Sequence, residues 1–129
     1  MENYRDNLVV VFAGYKKEMD GFLKSNSGIV SRIGYTLDFK DYTTSELIQI
    51  FKSMFDKAGF IVDESAIEKV KEITEEYRNT EGFGNARFIR NLYEKAIIEH
   101  ATNTANEEDK TILKTITKED ITSENIGKL

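Results

Sequence analysis

The chain has 129 residues, of which 40% are hydrophobic and 32% charged, ordinary for a soluble globular fold and enough for one average domain or a small domain plus a fragment. Its net charge of −5 argues against a duplex nucleic-acid binder, which shows a basic face, and no apolar run approaches the roughly 20 residues needed to span a bilayer. With no cysteine there is no disulfide framework, no thiolate metal site and no thiol nucleophile, as fits a cytosolic protein.

Residues Met1 to Asn7 are polar and read as a lead-in. Leu8-Val9-Val10-Val11-Phe12-Ala13 is a continuous β-branched apolar run, the pattern of a strand buried on both faces of a parallel sheet. From Lys16 to Ser25, Met19, Phe22 and Leu23 recur at helical spacing. Asn26-Ser27-Gly28 is a turn signal, and Tyr35-Thr36-Leu37-Asp38-Phe39 alternates as a strand with one packed face.

At Asp41-Tyr42 the character changes from α/β to all-helical. Thr43 followed by Glu46 has the form of a capping box, and Leu47, Ile48, Phe51, Met54, Phe55 and Ala58 then make one broad stripe. Phe60-Ile61-Val62 is a short extended link. Asp63 caps a second helix, on which Ala66, Ile67, Val70, Ile73 and Tyr77 share a face; the opposite face, Glu68 to Glu76, reads as solvated surface. Gly82 and Gly84 loosen the approach to a third helix, Asn85 to about Thr102, with Asn85 as its cap. Residues 103–110 are polar and loop-like, and 111–116 stay ambiguous between extended and other structure. Thr117 with Asp120 marks a last short capped helix. The organisation is an incomplete α/β piece up to about residue 41, then a small helical bundle.

The third helix sets one side chain apart. With Arg87 at zero and about 100° per residue, Leu92, Ala96, Ile89 and Tyr93 fall between about 140° and 240°, so the apolar stripe lies almost opposite the arginine. Asn91 and Glu94 lie beside it. The sole histidine, His100, falls on the apolar side and reads as a packed residue; no carboxylates are visible in the sequence to make it a metal ligand. The chain has no Gly-x-x-x-x-Gly-Lys-Ser/Thr loop, no apolar strand ending in paired acids for magnesium and no Ser-His-Asp set, so it is expected to carry out no reaction unaided. Two arginines remain: Arg87, and Arg32, which follows a glycine-containing turn at the mouth of the second expected strand. Their alternatives are a solvated surface charge and an arginine paired with an acid such as Asp38.

Val9-Val10-Val11-Phe12-Ala13-Gly14-Tyr15-Lys16-Lys17-Glu18-Met19, Asn26-Ser27-Gly28-Ile29-Val30-Ser31-Arg32, Phe39-Lys40-Asp41-Tyr42-Thr43 with Glu46-Leu47, and Gly84-Asn85-Ala86-Arg87-Phe88-Ile89-Arg90-Asn91 follow in order. Together they resemble the second half of AAA+ ATPases of the CbxX/CfqX type, the group of the red-type rubisco activase and of stage V sporulation protein K. The likeness runs from about Leu8 to His100. It implies an α+β fragment: residues 1–41 as the distal piece of an AAA+ α/β core, with two strands and a helix, and residues 42–129 as a mainly helical lid.

By the same resemblance Arg32 is the arginine finger, acting in trans on a neighbouring subunit's nucleotide. Arg87 is the sensor-2 arginine of its own subunit's ATP site, with Gly84 and Asn85 beside it. The first lid helix helps close the adenine pocket. The implied parent is a cytoplasmic ATP hydrolase that uses magnesium, assembles into a ring, a hexamer, and remodels a protein client, with neither nucleic acid nor membrane as partner. The phosphate loop, the acidic magnesium pair and the pore loop of such proteins are absent here, so the chain alone is expected to be inactive and to represent a truncated or isolated segment, with Met1 open between a native start and an internal methionine. Ser27 stands where the family usually has proline, and Ala13-Gly14-Tyr15 leaves the sensor-1 role unassigned. Without the strand that lies between them in that core, the two expected strands should pair with each other or drive oligomerisation. The competing reading is a stand-alone helical protein-interaction module without nucleotide; a clamp-loader-like role on DNA is disfavoured by the charge.

Overall fold

The computed structural model describes residues 7–126, so the expected lead-in lies, apart from Asn7, outside the described residues, as does Met1. The chain divides into two compact units, residues 1–40 and 41–129.

Within the first unit, α1 (Lys16–Ser25) forms where its apolar spacing places it, and Met19 and Leu23 are half-buried. The Phe12 and Phe22 rings meet with centroids 5.8 Å apart. The expected turn at Asn26-Ser27-Gly28 is instead the start of a single helical turn, α2 (Ser27–Val30). Its first bonds come directly off the end of α1, because Asn26 O accepts from Ile29 N at 3.0 Å.

Neither strand expected in this unit forms. Leu8–Ala13 and Tyr35–Phe39 enter no ladder, with each other or with any other described segment. Val9, Val11, Tyr35 and Phe39 are more than 80% exposed. The reason is physical: an apolar strand is stable only when neighbours satisfy its backbone and cover its faces, and a lone pair of strands is marginal in water. Among the described residues of this unit none is buried.

The second unit contains the core. In α3 (Thr44–Lys57), Thr43 Oγ1 accepts from Glu46 N at 3.2 Å while Glu46 Oε2 accepts from Thr43 N at 2.8 Å, the reciprocal capping box. The helix ends in a Schellman arrangement: Gly59 takes φ +84°, Gly59 N donates to Asp56 O at 3.0 Å and Phe60 N to Phe55 O at 2.9 Å. Leu47, Phe51 and Phe55 are wholly buried, whereas Ala58, expected on the same stripe, is exposed because the helix has already terminated there.

The extended link at 60–62 becomes β1 (Ile61–Val62), which pairs in parallel with β2 (Thr115–Ile116) in the register Ile61 with Thr115 and Val62 with Ile116. The ambiguous stretch 111–116 is thereby divided: α6 (Lys110–Lys114) runs into β2. Asp63 N, immediately beyond β1, also donates to Ile116 O at 2.8 Å.

Asp63 then caps α4 (Glu64–Tyr77), whose Ala66, Ile67, Val70 and Ile73 are buried. The long helix α5 (Ala86–Asn103) buries Phe88, Ile89, Leu92, Ala96 and His100. Ile116, Ile121 and Ile126 close the same core from the chain's end. At roughly 1.5–3 kcal/mol for each large apolar side chain removed from water, this core, and not helix propensity, holds the unit together.

Candidate functional site

The approach to α5 is built by a tight, strained turn. Gly84 O accepts from Arg87 N at 3.0 Å, closing a four-residue turn over Gly84, Asn85, Ala86 and Arg87. Asn85 sits at its second position with φ 50° and ψ −116°, close to the first central residue of a type II′ turn, a conformation that glycine takes freely and asparagine does not. Holding a non-glycine residue there costs on the order of 1–3 kcal/mol, so the surroundings must fix it. They do. Phe83, just before the turn, lies 5.0 Å from Phe88 just after it, and Phe88 lies 5.4 Å from Tyr77 at the end of α4.

Sequence reading made Asn85 the helix cap. It occupies the N-cap position, but its side chain makes no capping bond. Its amide is committed elsewhere: Oδ1 accepts from Tyr42 N at 3.0 Å and Nδ2 donates to Asp41 Oδ1 at 2.8 Å. A left-handed φ swings the side chain away from the helix start, which is why the local capping signal is not realised. Gly84 stands against the arginine's stem; a Cβ there would meet Arg87 Cβ at 3.4 Å and Phe88 N at 3.5 Å. A side chain larger than a methyl would press on Arg87.

Arg87 itself is exposed on the first turn of α5, opposite buried Ile89, Leu92 and Ala96, as its helical angle requires. Glu94, which the helical wheel sets beside it, pairs instead with Arg90, Oε1 to Nε at 3.5 Å. Among the described residues Arg87 has no ion-pair or hydrogen-bonding partner for its guanidinium. The first turn of α5 carries no acidic residue. A cation at the positive end of a helix is electrostatically unfavourable by itself, and the combination is suited to an anion.

Arg32 lies in the other unit, exposed, after α2 and not at the mouth of a strand. Its Nη1 donates to Gly28 O at 2.7 Å. Asp38, the acid weighed as its partner, meets Lys16 Nζ at 3.4 Å. The structure gives each arginine a setting within its own unit.

Sequence reasoning overlooked Arg78. One residue past α4, it donates from Nη2 to Tyr42 O at 3.3 Å and from Nη1 to Thr44 Oγ1, and Thr44 Oγ1 in turn donates to Glu75 Oε1 at 2.5 Å. No local pattern marks such a residue, because its partners lie more than thirty positions away. His100 does find the carboxylate that could not be seen in the sequence: Nδ1 lies 3.0 Å from Asp120 Oδ2, and Nε2 lies 2.7 Å from Leu113 O. Among the described residues no group of three or more histidines or carboxylates is arranged to hold a metal. An open groove of about 480 Å³ runs along α3 between Tyr42 and Lys57, lined also by Glu46, Gln49, Ile50, Ser53 and Met54. No helix among the described residues is long and apolar enough to cross a membrane.

The family model described as AAA lid domain matches residues 43–128 of this helical unit: the chain belongs to that family. Its curated relatives include proteins named CfxQ, CbxX and CbbX. Protein CfxQ homolog of Pyropia yezoensis is 41% identical over 94% of this chain and 42% of its own length. Protein CfxQ of Xanthobacter flavus is 36% identical over 98% of this chain and 41% of its own, and Protein CbbX of Cereibacter sphaeroides 36% identical over 99% and 43%. The chain thus spans about two-fifths of the length of the curated relatives it matches.

Proposed function

We propose that this chain is the lid-bearing portion of an AAA+ ATPase subunit, and that Arg87 contacts the phosphates of that subunit's own ATP. The observation that carries this reading is the exposed Arg87 guanidinium, without a partner among the described residues, on a helix whose first turn carries no acidic residue of its own. Its donors fit an anionic oxygen, and nothing nearby in the helix neutralises them. Gly84 and Asn85 serve the same site by shaping the turn that delivers the arginine. In this reading the groove beside Tyr42 on α3 closes over the adenine.

Arg32 acts as the arginine finger toward the nucleotide of a neighbouring subunit in a ring, a hexamer. The ring remodels a protein client in the cytoplasm, with neither nucleic acid nor membrane as partner. ATP with magnesium supplies the phosphoryl chemistry; in this chain the residues that take part orient and neutralise. The relatives' names and the lid match support the class, and the position of Arg87 supports the role. Titration of ATP into the full-length protein tests it: Arg87→Ala should weaken affinity at least several-fold, and unchanged affinity would remove Arg87 from the site.

A further inference from the structure

Tyr42 is held at both ends of its backbone by side chains from remote parts of the second unit. Its N–H donates to Asn85 Oδ1 at 3.0 Å, and its carbonyl accepts from Arg78 Nη2 at 3.3 Å. Nearby residues are tied by the same two side chains, Asp41 just before it through Asn85 Nδ2 and Thr44 two positions after it through Arg78 Nη1. Asp41, Tyr42 and Thr43 are exposed, so apolar packing does not fix this segment; these hydrogen bonds do. Asn85 keeps a positive φ to make them, where glycine would sit without strain. It also lies two residues before Arg87, inside the turn closed by the bond from Arg87 N to Gly84 O.

We propose that Arg78 and Asn85 are positioning residues that lock segment 41–44 to the turn carrying Arg87, so that a displacement of Arg87 is transmitted to the stretch of chain leading into the lid. The proposal rests on the reading that Arg87 meets nucleotide. Asn85 then works through the backbone of Tyr42 and touches no phosphate. Its amide is already engaged at both ends, Nδ2 with Asp41 Oδ1 and Oδ1 with Tyr42 N. Arg78 anchors the second end of the same peptide groups to α4, through Thr44 and Glu75.

Amide hydrogen exchange on the 129-residue chain tests the lock without any ligand. The Tyr42 amide should be protected in the wild type, and Asn85→Gly, which accepts the turn's φ without strain, should speed its exchange about tenfold, the worth of one lost hydrogen bond. Amides in the core, such as those of Phe51 and Leu92, should keep their protection. Arg78→Lys, which keeps the charge but not the two-pronged guanidinium, should disturb Thr44 and leave the Tyr42 N–H bond in place. In the full-length protein, with each variant saturated with ATP, ATP should slow exchange at Tyr42 in the wild type but not in Asn85→Gly. Equal Tyr42 exchange in wild type and Asn85→Gly would overturn the lock whatever the nucleotide does. A loss at Tyr42 that is matched at Phe51 and Leu92 would mean that Asn85 merely stabilises the fold, and would overturn it too. A normal lock together with ATP affinity unchanged by Arg87→Ala would instead sink the nucleotide reading alone.

Discussion

His100 on α5 and Asp120 in the closing 3-10 turn meet at 3.0 Å, Nδ1 to Oδ2, with both side chains more than nine-tenths buried. The contact is part of a small network. Asp120 Oδ2 also accepts from Thr117 N at 3.0 Å, Asp120 Oδ1 accepts from Asn103 Nδ2 at 2.9 Å, and the other ring nitrogen of His100 reaches Leu113 O at 2.7 Å. Through it the end of α5 is stitched to the stretch from Leu113 to Asp120, which includes β2. Removing Asp120 takes the partner from buried His100 Nδ1, and removing His100 takes one from Leu113 O and one of the contacts of buried Asp120.

His100→Ala should therefore destabilise the second unit by more than an exposed hydrogen bond would, on the order of 1–3 kcal/mol, and Asp120→Ala by a similar amount. The double substitution should cost less than the sum, because the second change removes the orphaned group. Urea unfolding of the three variants measures this; strict additivity would mean the pair is not coupled.

Thr74, wholly buried in α4, has a hydroxyl with no hydrogen-bonding partner among the described residues. A buried hydroxyl without a partner costs about 1–3 kcal/mol, and valine has nearly the same shape without that oxygen. Thr74→Val should raise the unfolding midpoint, while Thr74→Ala, which leaves a space, should not. Thermal melts decide between the two signs.

The Asp63 carboxyl is held below its ordinary range, chiefly because the Ser65 hydroxyl donates to it and then because the Ser65 amide does. A lowered folded value means that the carboxylate's contribution is present above the ordinary carboxylate range and is lost as pH falls through the folded value. The group is fully exposed, so the effect is small. The stability gap between wild type and Asp63→Asn, which does not titrate, should stay constant above about pH 5 and shrink in the wild type's disfavour below it. Denaturant midpoints across pH 3 to 7 would read the change; a flat difference would mean that the Ser65 bonds do not form in solution.

Arg32 and Arg87 should fail differently. The chain alone should turn over ATP no faster than a blank, because positioning and metal carry most of phosphoryl transfer and the phosphate loop is absent from this sequence. In the full-length protein Arg32→Ala should keep ATP binding near normal and lose turnover, by as much as roughly 10³–10⁵ for a finger of the strongest kind. Arg87→Ala should weaken both. Subunits with intact Arg32 and a dead phosphate loop should partly restore hydrolysis to Arg32→Ala subunits in mixed rings, and failure at every ratio would show that Arg32 does not act across an interface.

The three long helices and the outward setting of Arg87 were legible in the sequence, since capping residues and i, i+4 apolar spacing are written within a few residues of the structure they produce. Thr43 with Glu46, Asp63 with Ser65, and the Leu47, Phe51, Phe55 stripe all act over that range. Only the tertiary structure decided the rest. Val9, Val10 and Val11 have every local preference of a strand and form none, because a ladder needs a partner and no described segment supplies one. Ile61 and Val62, a mere link by pattern, become a strand because Thr115 and Ile116 arrive beside them. Asn85 turns from helix cap to clamp for the same reason: its hydrogen-bonding partners, Asp41 and Tyr42, stand beside it only once α3 and α5 are packed. Short-range signals fix what a segment can be, and which of its polar groups find one another depends on contacts that exist only after the chain has collapsed.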